Sequence, residues 1–258
     1  MKIATWNVNS VRARLGRVVP WLQQHRPDVV CLQETKVVDE LFPRELLEDE
    51  GYEIVTFGQK TYNGVAILAR HRIEDVVRGF PDDAEGADRR VIGCTVNGVM
   101  ILNLYVPNGQ EVGAPKFHWK LEWLRRLRGF LDERYDTREK LVVTGDFNIT
   151  FDDRDVYDPV ALRETIHCST PERDALRHVT DFGLHDALRR HHEEAGIYTW
   201  WHYRAGAYPR DRGLRIDHFL MSKPAYEACT SVTVDKPERS GLGASDHAPV
   251  VAELDLGD

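Results

Sequence analysis

Several polar side chains share one placement in this 258-residue chain: Asn7, Glu34, Tyr105, Asp146 with Asn148, Asp217, and Asp246 with His247. Each sits at the end of, or inside, an apolar run. Carboxylates in such places are costly unless they are paired or bind a metal. The set suits hydrolysis of a phosphodiester. A water must lose a proton, charge developing on phosphorus must be stabilised, and the leaving oxygen needs a counter-charge or a proton. A hard cation such as Mg²⁺ takes oxygen ligands and keeps several waters, and it stabilises transition-state charge. Glu34 is a suitable ligand. Asp146 is placed to polarise the attacking water, Asn148 to orient it or a phosphate oxygen, and Asn7 to fix Asp146 by a hydrogen bond. His247, held by Asp217, would donate to the phosphate, and Tyr105 would offer a phenol. Singly, each has an ordinary structural explanation. Glu34 could form a salt bridge, Asp146 a turn after Gly145, Asp217 a pair with Arg215, and Asp246-His247 a cap. Their common context and order carry the chemical reading.

The elements that must position these groups follow from hydrophobic periodicity. Residues 2–6 read as a strand ending in Asn7-Val8-Asn9-Ser10. Val11, Leu15, Val18, Val19 and Leu22 fall on one helical face, with Pro20 expected to kink the helix. Residues 28–32 form a buried-looking strand that ends at Gln33-Glu34. This strand–helix–strand start predicts a layered α/β fold. Further strands are expected at 52–57, 64–69, 91–96, 99–106, 141–143, 198–203, 214–221 and 248–254. Asn97-Gly98 signals a hairpin. Phe117, Leu121, Leu124 and Leu131 mark a helix over 115–134, and Thr170-Pro171-Glu172 reads as a helix start capped by the Thr170 hydroxyl. Hairpins mixed with strand–helix–strand units imply mixed sheets rather than a simple parallel one.

Composition narrows the class. A hydrophobic content of 42% supports one large core, and no linker divides the chain, so one domain over 1–258 is expected. Apolar runs are too short to span a bilayer, no signal-peptide core follows Met1-Lys2, and a cytoplasmic protein without membrane association is expected. Cys31, Cys94, Cys168 and Cys229 are far apart and form no CxxC pair, which argues for isolated thiols. Net charge is −8, yet nucleic-acid binding depends on the local field. Residues 1–26 carry Lys2, Arg12, Arg14, Arg17 and Arg26 without an acid, whereas 39–53 and 152–158 are acidic. His191-His192-Glu193-Glu194 is read as solvated surface rather than a metal site.

Eight segments resemble the exonuclease III family of AP endonucleases, within the endonuclease/exonuclease/phosphatase superfamily. They are Trp-Asn-Val-Asn-Ser at 6–10, Leu-Gln-Glu-Thr-Lys at 32–36, Gly-Gln-Lys-Thr-Tyr-Asn-Gly-Val-Ala at 58–66 and Leu-Tyr-Val-Pro-Asn-Gly at 104–109. Gly-Asp-Phe-Asn-Ile at 145–149, Tyr-Thr-Trp-Trp at 198–201, Gly-Leu-Arg-Ile-Asp-His at 213–218 and Ser-Asp-His-Ala-Pro-Val at 245–250 complete the set. Together they cover essentially the whole chain in the family's order. The resemblance implies a four-layered α/β sandwich of the DNase-I-like fold, two mixed β-sheets flanked by helices. It implies Mg²⁺, with Mn²⁺ as a substitute, and a monomer in DNA base-excision repair. The substrates would be duplex DNA with abasic sites, nicks or blocked 3′ ends. The implied activities are 3′→5′ exonuclease action, removal of 3′ blocks and incision 5′ to abasic sites. Carried over by position, Glu34 is the principal metal ligand, assisted by Asn7 and Asp246, with Asp146 and Asn148 adjoining the metal. Tyr105 contacts phosphate, Asp146 activates water with Asn148 in support, and Asp217 orients His247. Trp200, Leu214 and Ile216 line a pocket for a flipped-out sugar.

Two positions bear on selectivity. Some relatives have Asp where this chain has Asn9, which lowers the charge at the metal side. His167 lies in the loop expected to approach the sugar pocket. A bulky imidazole there would obstruct an internal abasic site, which must be extruded, more than a frayed 3′ end. Arg12, Arg14, Lys36, Lys60, Arg89, Arg90, Arg204, Arg210, Arg212 and Arg215 are candidates for phosphate contacts, which position DNA without reading sequence. The same metal-site logic serves enzymes that act on RNA or phospholipid head groups, and residues 198–218 favour the DNA branch. A non-catalytic DNA-binding module would not need every one of these positions filled.

Overall fold

In the computed structural model, which describes residues 1–257, β1 (Lys2–Asn7), α1 (Val11–His25) and β2 (Val29–Gln33) form the expected opening unit. β1 and β2 pair in parallel, as strands joined by a helical crossover do. Pro20 does not end α1, which continues to His25 with Val18, Trp21 and Leu22 buried against the sheet. The loss of one helical N–H is tolerated where this packing holds both sides of the proline.

The chain continues through α2 (Arg44–Glu48), β3 (Glu53–Phe57), β4 (Val65–Ala69), β5 (Glu74–Arg78), β6 (Val91–Val96) and β7 (Val99–Tyr105). Asn97 and Gly98 join β6 to β7 with φ of 49° and 74°, as a two-residue turn with both central residues left-handed requires. Then come α3 (Pro115–Arg134), β8 (Leu141–Asp146), α4 (Thr170–Thr180), β9 (Leu184–Asp186), α5 (Leu188–His191), β10 (Asp217–Ser222), α6 (Lys223–Ala228), β11 (Cys229–Val234) and β12 (Val250–Leu254).

Two six-stranded mixed sheets result, ordered β11-β12-β1-β2-β4-β3 and β5-β6-β7-β8-β10-β9. Alternation along each strand sends Ile3, Val29, Cys31, Val65 and Ile67 of the first sheet into one core with Ile92, Cys94, Ile101, Val142 and Phe219 of the second. The intervening residues face outward onto helices. Trp6, Val30 and Leu32 pack with Val18 and Trp21 of α1, while Leu102, Leu104 and Val143 pack with Trp123 and Leu127 of α3 and Leu176 of α4. This is the four-layered sandwich of the DNase-I-like fold. All four cysteines are buried and free, and no helix among the described residues is long and apolar enough to cross a membrane.

The topology gathers the polar positions. In each sheet the central pair, β1–β2 or β7–β8, is parallel, so Asn7, Glu34, Tyr105 and Asp146 come from carboxyl ends on one rim. β10 runs antiparallel to β8 and places Asp217 opposite Asp146. The segment before β12 brings Asp246 and His247 to the same edge.

Several expectations need correction. Residues 198–203 form no strand. Trp200 makes only isolated bridges to Leu214 and His247, because the chain crosses the rim instead of running along a sheet. β10 starts at Asp217, since the Arg215 amide turns to Asp155 O and that of Ile216 to Thr199 Oγ1. The cap of α4 is Ser169, one residue before Thr170, in a capping box with Glu172. β5, β9 and β11 are additional edge or near-edge strands; β9 is only three residues long and four of the five β5 residues are exposed, so neither has a clear hydrophobic period.

Candidate active site

The rim has two halves that meet at Asp146. In the first, Asn7 Nδ2 donates to Glu34 Oε1 and to Asp146 Oδ2, both at 2.9 Å. Glu34 Oε2 faces Lys36 Nζ at 2.7 Å, and Lys36 Nζ reaches Asn9 Oδ1 at 2.6 Å. Asn9 Nδ2 donates to Asp246 Oδ1 and Trp200 Nε1 to Asp246 Oδ2, each at 3.0 Å. Burial opposes ionisation of Glu34, but Lys36 and the Asn7 bond outweigh it and hold the carboxyl below its usual range.

In the second half, Asp217 Oδ2 accepts from Thr199 Oγ1 at 2.6 Å and from His247 Nδ1 at 2.9 Å. With Nδ1 donating, His247 Nε2 is turned toward Asp146 Oδ2, 3.7 Å away. Burial disfavours the imidazolium, yet Asp217 and Asp146 push the His247 pKa up to about 10. Asp146 is pushed up to about 7, first by burial and then by the charges of Asp217 and Glu34, against the pull of His247 and Asn7. Asn148, left-handed at φ 54°, donates its amide N–H to Asp146 Oδ1 at 2.9 Å and its Nδ2 to Asp146 Oδ2 at 3.2 Å. Asn108 Nδ2 donates to Asn148 Oδ1 at 3.1 Å. Tyr105, opposite Asp146 in the β7–β8 register, has its phenol pKa pushed well above normal by burial and by Glu34 and Asp146.

The donor set suits a hard divalent cation. Glu34, Asp146, Asp217 and Asp246 supply four carboxylates against the cations Lys36 and His247, and Asp217 Oδ1 is buried without a partner. Asp146, Asp217 and His247 form the one group of three metal-capable side chains within ligand reach among the described residues. Surplus buried negative charge favours a cation, and oxygen donors favour Mg²⁺-like ions over soft metals. His191 and His192 belong to no such group. His192 pairs with Glu194 at the surface and meets Val232 O.

Beside this centre lies a cavity of about 540 Å³ lined by Trp200, His167, Leu214, Leu162, Ile166, Tyr157, Asn108, Arg204 and Arg212. Ile216 does not line it but is buried behind Leu214 with Val156 and Cys168. His167, with φ 72°, directs Nδ1 to Asn148 O at 2.6 Å. A carbonyl only accepts, so Nδ1 carries the proton. Burial and the nearby Lys120 hold the His167 pKa down to about 3, which keeps the ring neutral.

The candidate cations divide. Arg215 is not a DNA contact, because it is fully buried and paired with Asp155 at 2.7 Å and Asp186 at 2.7 Å. Arg90 is largely buried as well. It pairs with Asp88 and is sandwiched between the rings of Tyr105 at 4.7 Å and Trp119 at 5.3 Å. Arg89, paired with Asp39 and lying over Phe57, stays partly exposed. Arg204, Arg210 and Arg212 make no ion pair among the described residues, and Arg204 and Arg212 line the cavity. Thr199 and Asn108 are hydrogen-bond partners of the rim that the sequence reading passed over, although both lie inside the quoted segments at 198–201 and 104–109.

Known proteins agree with this geometry. The Endonuclease/Exonuclease/phosphatase family matches residues 4–247. Exodeoxyribonuclease III of Haemophilus influenzae is 34% identical over 98% of this chain and 100% of its own. A structure of the Neisseria 3′ phosphatase NExo bound to a product DNA hairpin has a TM-score of 0.94 and 46% identity, covering 99% of this chain and 100% of that one. An AP endonuclease from Archaeoglobus fulgidus has a TM-score of 0.95 and 38% identity, with coverage of 99% and 100%. The arrangement of the rim and these full-length similarities lead to one conclusion: the chain belongs to the endonuclease/exonuclease/phosphatase family, in its exonuclease III branch.

Proposed function

We propose that the protein is a Mg²⁺-dependent DNA phosphodiesterase of base-excision repair that acts on duplex DNA at blocked 3′ ends, nicks and abasic sites. The observation that carries this is the facing pair of carboxylate systems. Asp146, held by Asn7 and Asn148, stands against an imidazolium held by Asp217. A relative named exodeoxyribonuclease III and a 3′ phosphatase solved with a product DNA hairpin support DNA over RNA or phospholipid head groups as substrate. The placement of the protein in the cytoplasm, on DNA, follows from that substrate.

Glu34, with Asn7 and Asp246 on one side and Asp146 and Asn148 on the other, would hold the metal. When bound, the ion supplies positive charge to the phosphate oxygens. Asp146, held by Asn7 and Asn148, accepts a proton from water as the general base. The water oxygen bonds to phosphorus, the P–O bond to the leaving sugar oxygen breaks, and that oxygen takes up a proton from solvent. A 3′-phosphate leaves as inorganic phosphate and frees a 3′-hydroxyl; incision 5′ to an abasic site frees the same group upstream. His247 and Tyr105, both protonated, donate to phosphate oxygens as charge builds. Trp200 and Leu214 offer the apolar wall for a sugar. Arg204, Arg212 and Arg89 hold backbone phosphates.

His167 supports a preference for 3′ ends over internal abasic sites. Its ring forms part of the cavity wall and is tied to Asn148 O, so it does not swing aside freely. The experiment compares a 3′-phosphate duplex with an internal abasic duplex for wild type, Asp146→Asn, Glu34→Ala and His167→Gly. Asp146→Asn and Glu34→Ala are expected to lose activity on both substrates, and intact activity in either rejects the mechanism. His167→Gly is expected to gain internal incision, and no gain removes the proposed preference.

A further inference from the structure

One costly feature of the interior is an ion pair outside the rim. Lys120 of α3 and Glu172 of α4 have fully buried side chains with a 2.5 Å contact. An ion pair taken wholly from water gains little over an apolar pair of the same size, so its retention calls for another explanation. Its hydrogen bonds supply one. The ammonium has three donors, and they go to Glu172 Oε1, to Asn148 O at 2.8 Å and to Asn108 O at 3.1 Å. Glu172 is equally committed. Oε1 also accepts from the His167 amide at 3.1 Å, and Oε2 accepts from Ser169 Oγ at 2.7 Å.

Three segments distant in sequence are thereby tied to one charge pair: the turn at Asn108, the turn at Asn148 and the loop at His167. Asn148 O receives both Lys120 Nζ and His167 Nδ1, which uses both of its lone pairs. Asn148 and His167 are non-glycine residues with positive φ, a conformation that persists only where the surroundings over-determine it. From Asn148 the chain of bonds runs directly to Asp146.

We propose that Lys120 and Glu172 are positioning residues that lock Asn108, Asn148 and the His167 ring into one unit, setting the amide of Asn148 against Asp146 and the imidazole against the sugar cavity. The proposal rests on the phosphodiesterase reading of Asp146 and Asn148. Neither Lys120 nor Glu172 touches substrate. Their effect is on the aim of groups that do, and errors of about 1 Å in such aim cost up to roughly 100-fold in rate.

The test is the double variant Lys120→Met/Glu172→Gln. It removes both charges together, so no unpaired ion is left inside, and such replacements are commonly tolerated. Gln at this helix position also retains the capping box with Ser169. The expected result is a melting temperature near wild type, with kcat on a 3′-phosphate duplex roughly 10- to 100-fold lower and KM nearly unchanged. Amide hydrogen exchange should rise at Asn148 and Thr150, whose N–H groups bond Asp146 Oδ1 and His167 O, and stay at wild-type rates in the sheets. Wild-type kcat in the folded double variant, or a change confined to KM, overturns the proposal. So does loss of the folded transition, which would make the pair a requirement of folding alone. Wild type and Asp146→Asn serve as controls. If wild type cleaves and Asp146→Asn does not, the functional reading stands whatever the double variant does. If wild type does not cleave, that reading falls, and unchanged exchange at Asn148 and Thr150 overturns the positioning role independently.

Discussion

Asp155→Asn is predicted to destabilise the protein by about 3 kcal/mol at neutral pH, by an amount that shrinks in acid. Asp155 is fully buried. It accepts from Arg215 Nε at 2.7 Å, Arg215 Nη2 at 3.0 Å and the Phe151 amide at 2.9 Å, and it pairs with Arg189. Burial pushes its carboxyl upward, but Arg215 and Arg189 overcome this and bring the pKa down to about 2. That is about two units below the ordinary ~3.9, which at ~1.36 kcal/mol per unit is worth roughly 2.5 kcal/mol. Because the folded pKa lies below the unfolded one, this contribution is complete above about pH 4 and is lost as pH falls through about 2. Removing one partner of a buried pair costs about 3–5 kcal/mol. Arg215 keeps Asp186, at 2.7 Å, and the new amide keeps one accepting oxygen for its former partners, so the lower end is expected. For a chain of this size, ~3 kcal/mol corresponds to a fall in Tm of roughly 6–12 °C. Urea unfolding of wild type and variant at pH 7, 5, 4 and 3 gives the difference directly. A difference under 1 kcal/mol (roughly the noise of single-substitution bookkeeping) at pH 7 would refute the reasoning. So would a larger one that fails to narrow between pH 5 and 3.

Other predictions concern the rim. Asp217→Asn should lower kcat by roughly 100-fold or more with little change in KM, since it removes the charge that holds His247 protonated while preserving shape; single-turnover kinetics on a 3′-phosphate duplex would show it. Chelation should abolish cleavage. Millimolar Mg²⁺ should raise Tm by relieving repulsion among Glu34, Asp146, Asp217 and Asp246, and Glu34→Gln should lose most of that increase in a thermal melt. Duplex affinity should fall steeply between low and physiological salt, and Arg210→Ala/Arg212→Ala should flatten the dependence of log K on log salt by about two phosphate contacts. An unchanged slope would remove these arginines from the interface.

Much of the rim was legible because its polar groups sit where apolar strands stop. Asn7, Glu34, Tyr105 and Asp146 could be read from the runs before them, and β1–α1–β2, the Asn97-Gly98 hairpin and α3 from hydrophobic period and turn chemistry. Segments such as Gly-Asp-Phe-Asn and Ser-Asp-His-Ala-Pro gave the family. Partnership was not legible, because a charged residue in a sequence does not carry its partner with it. Asp217 beside Arg215 suggested a local pair, yet Arg215 turns inward to Asp155 and Asp186 and leaves Asp217 to His247 and Thr199. Nothing in the sequence marks Lys120 off from the other basic residues of α3, and Glu172 reads only as the third residue of a helix start. Their union, and its hold on Asn108, Asn148 and His167, depends on the packing of α3 against α4 beside the loops at the ends of β7 and β8. Local sequence determined which side chains reach the rim. Only the closing of two sheets against one another decided which charges lose water, and therefore which must find each other.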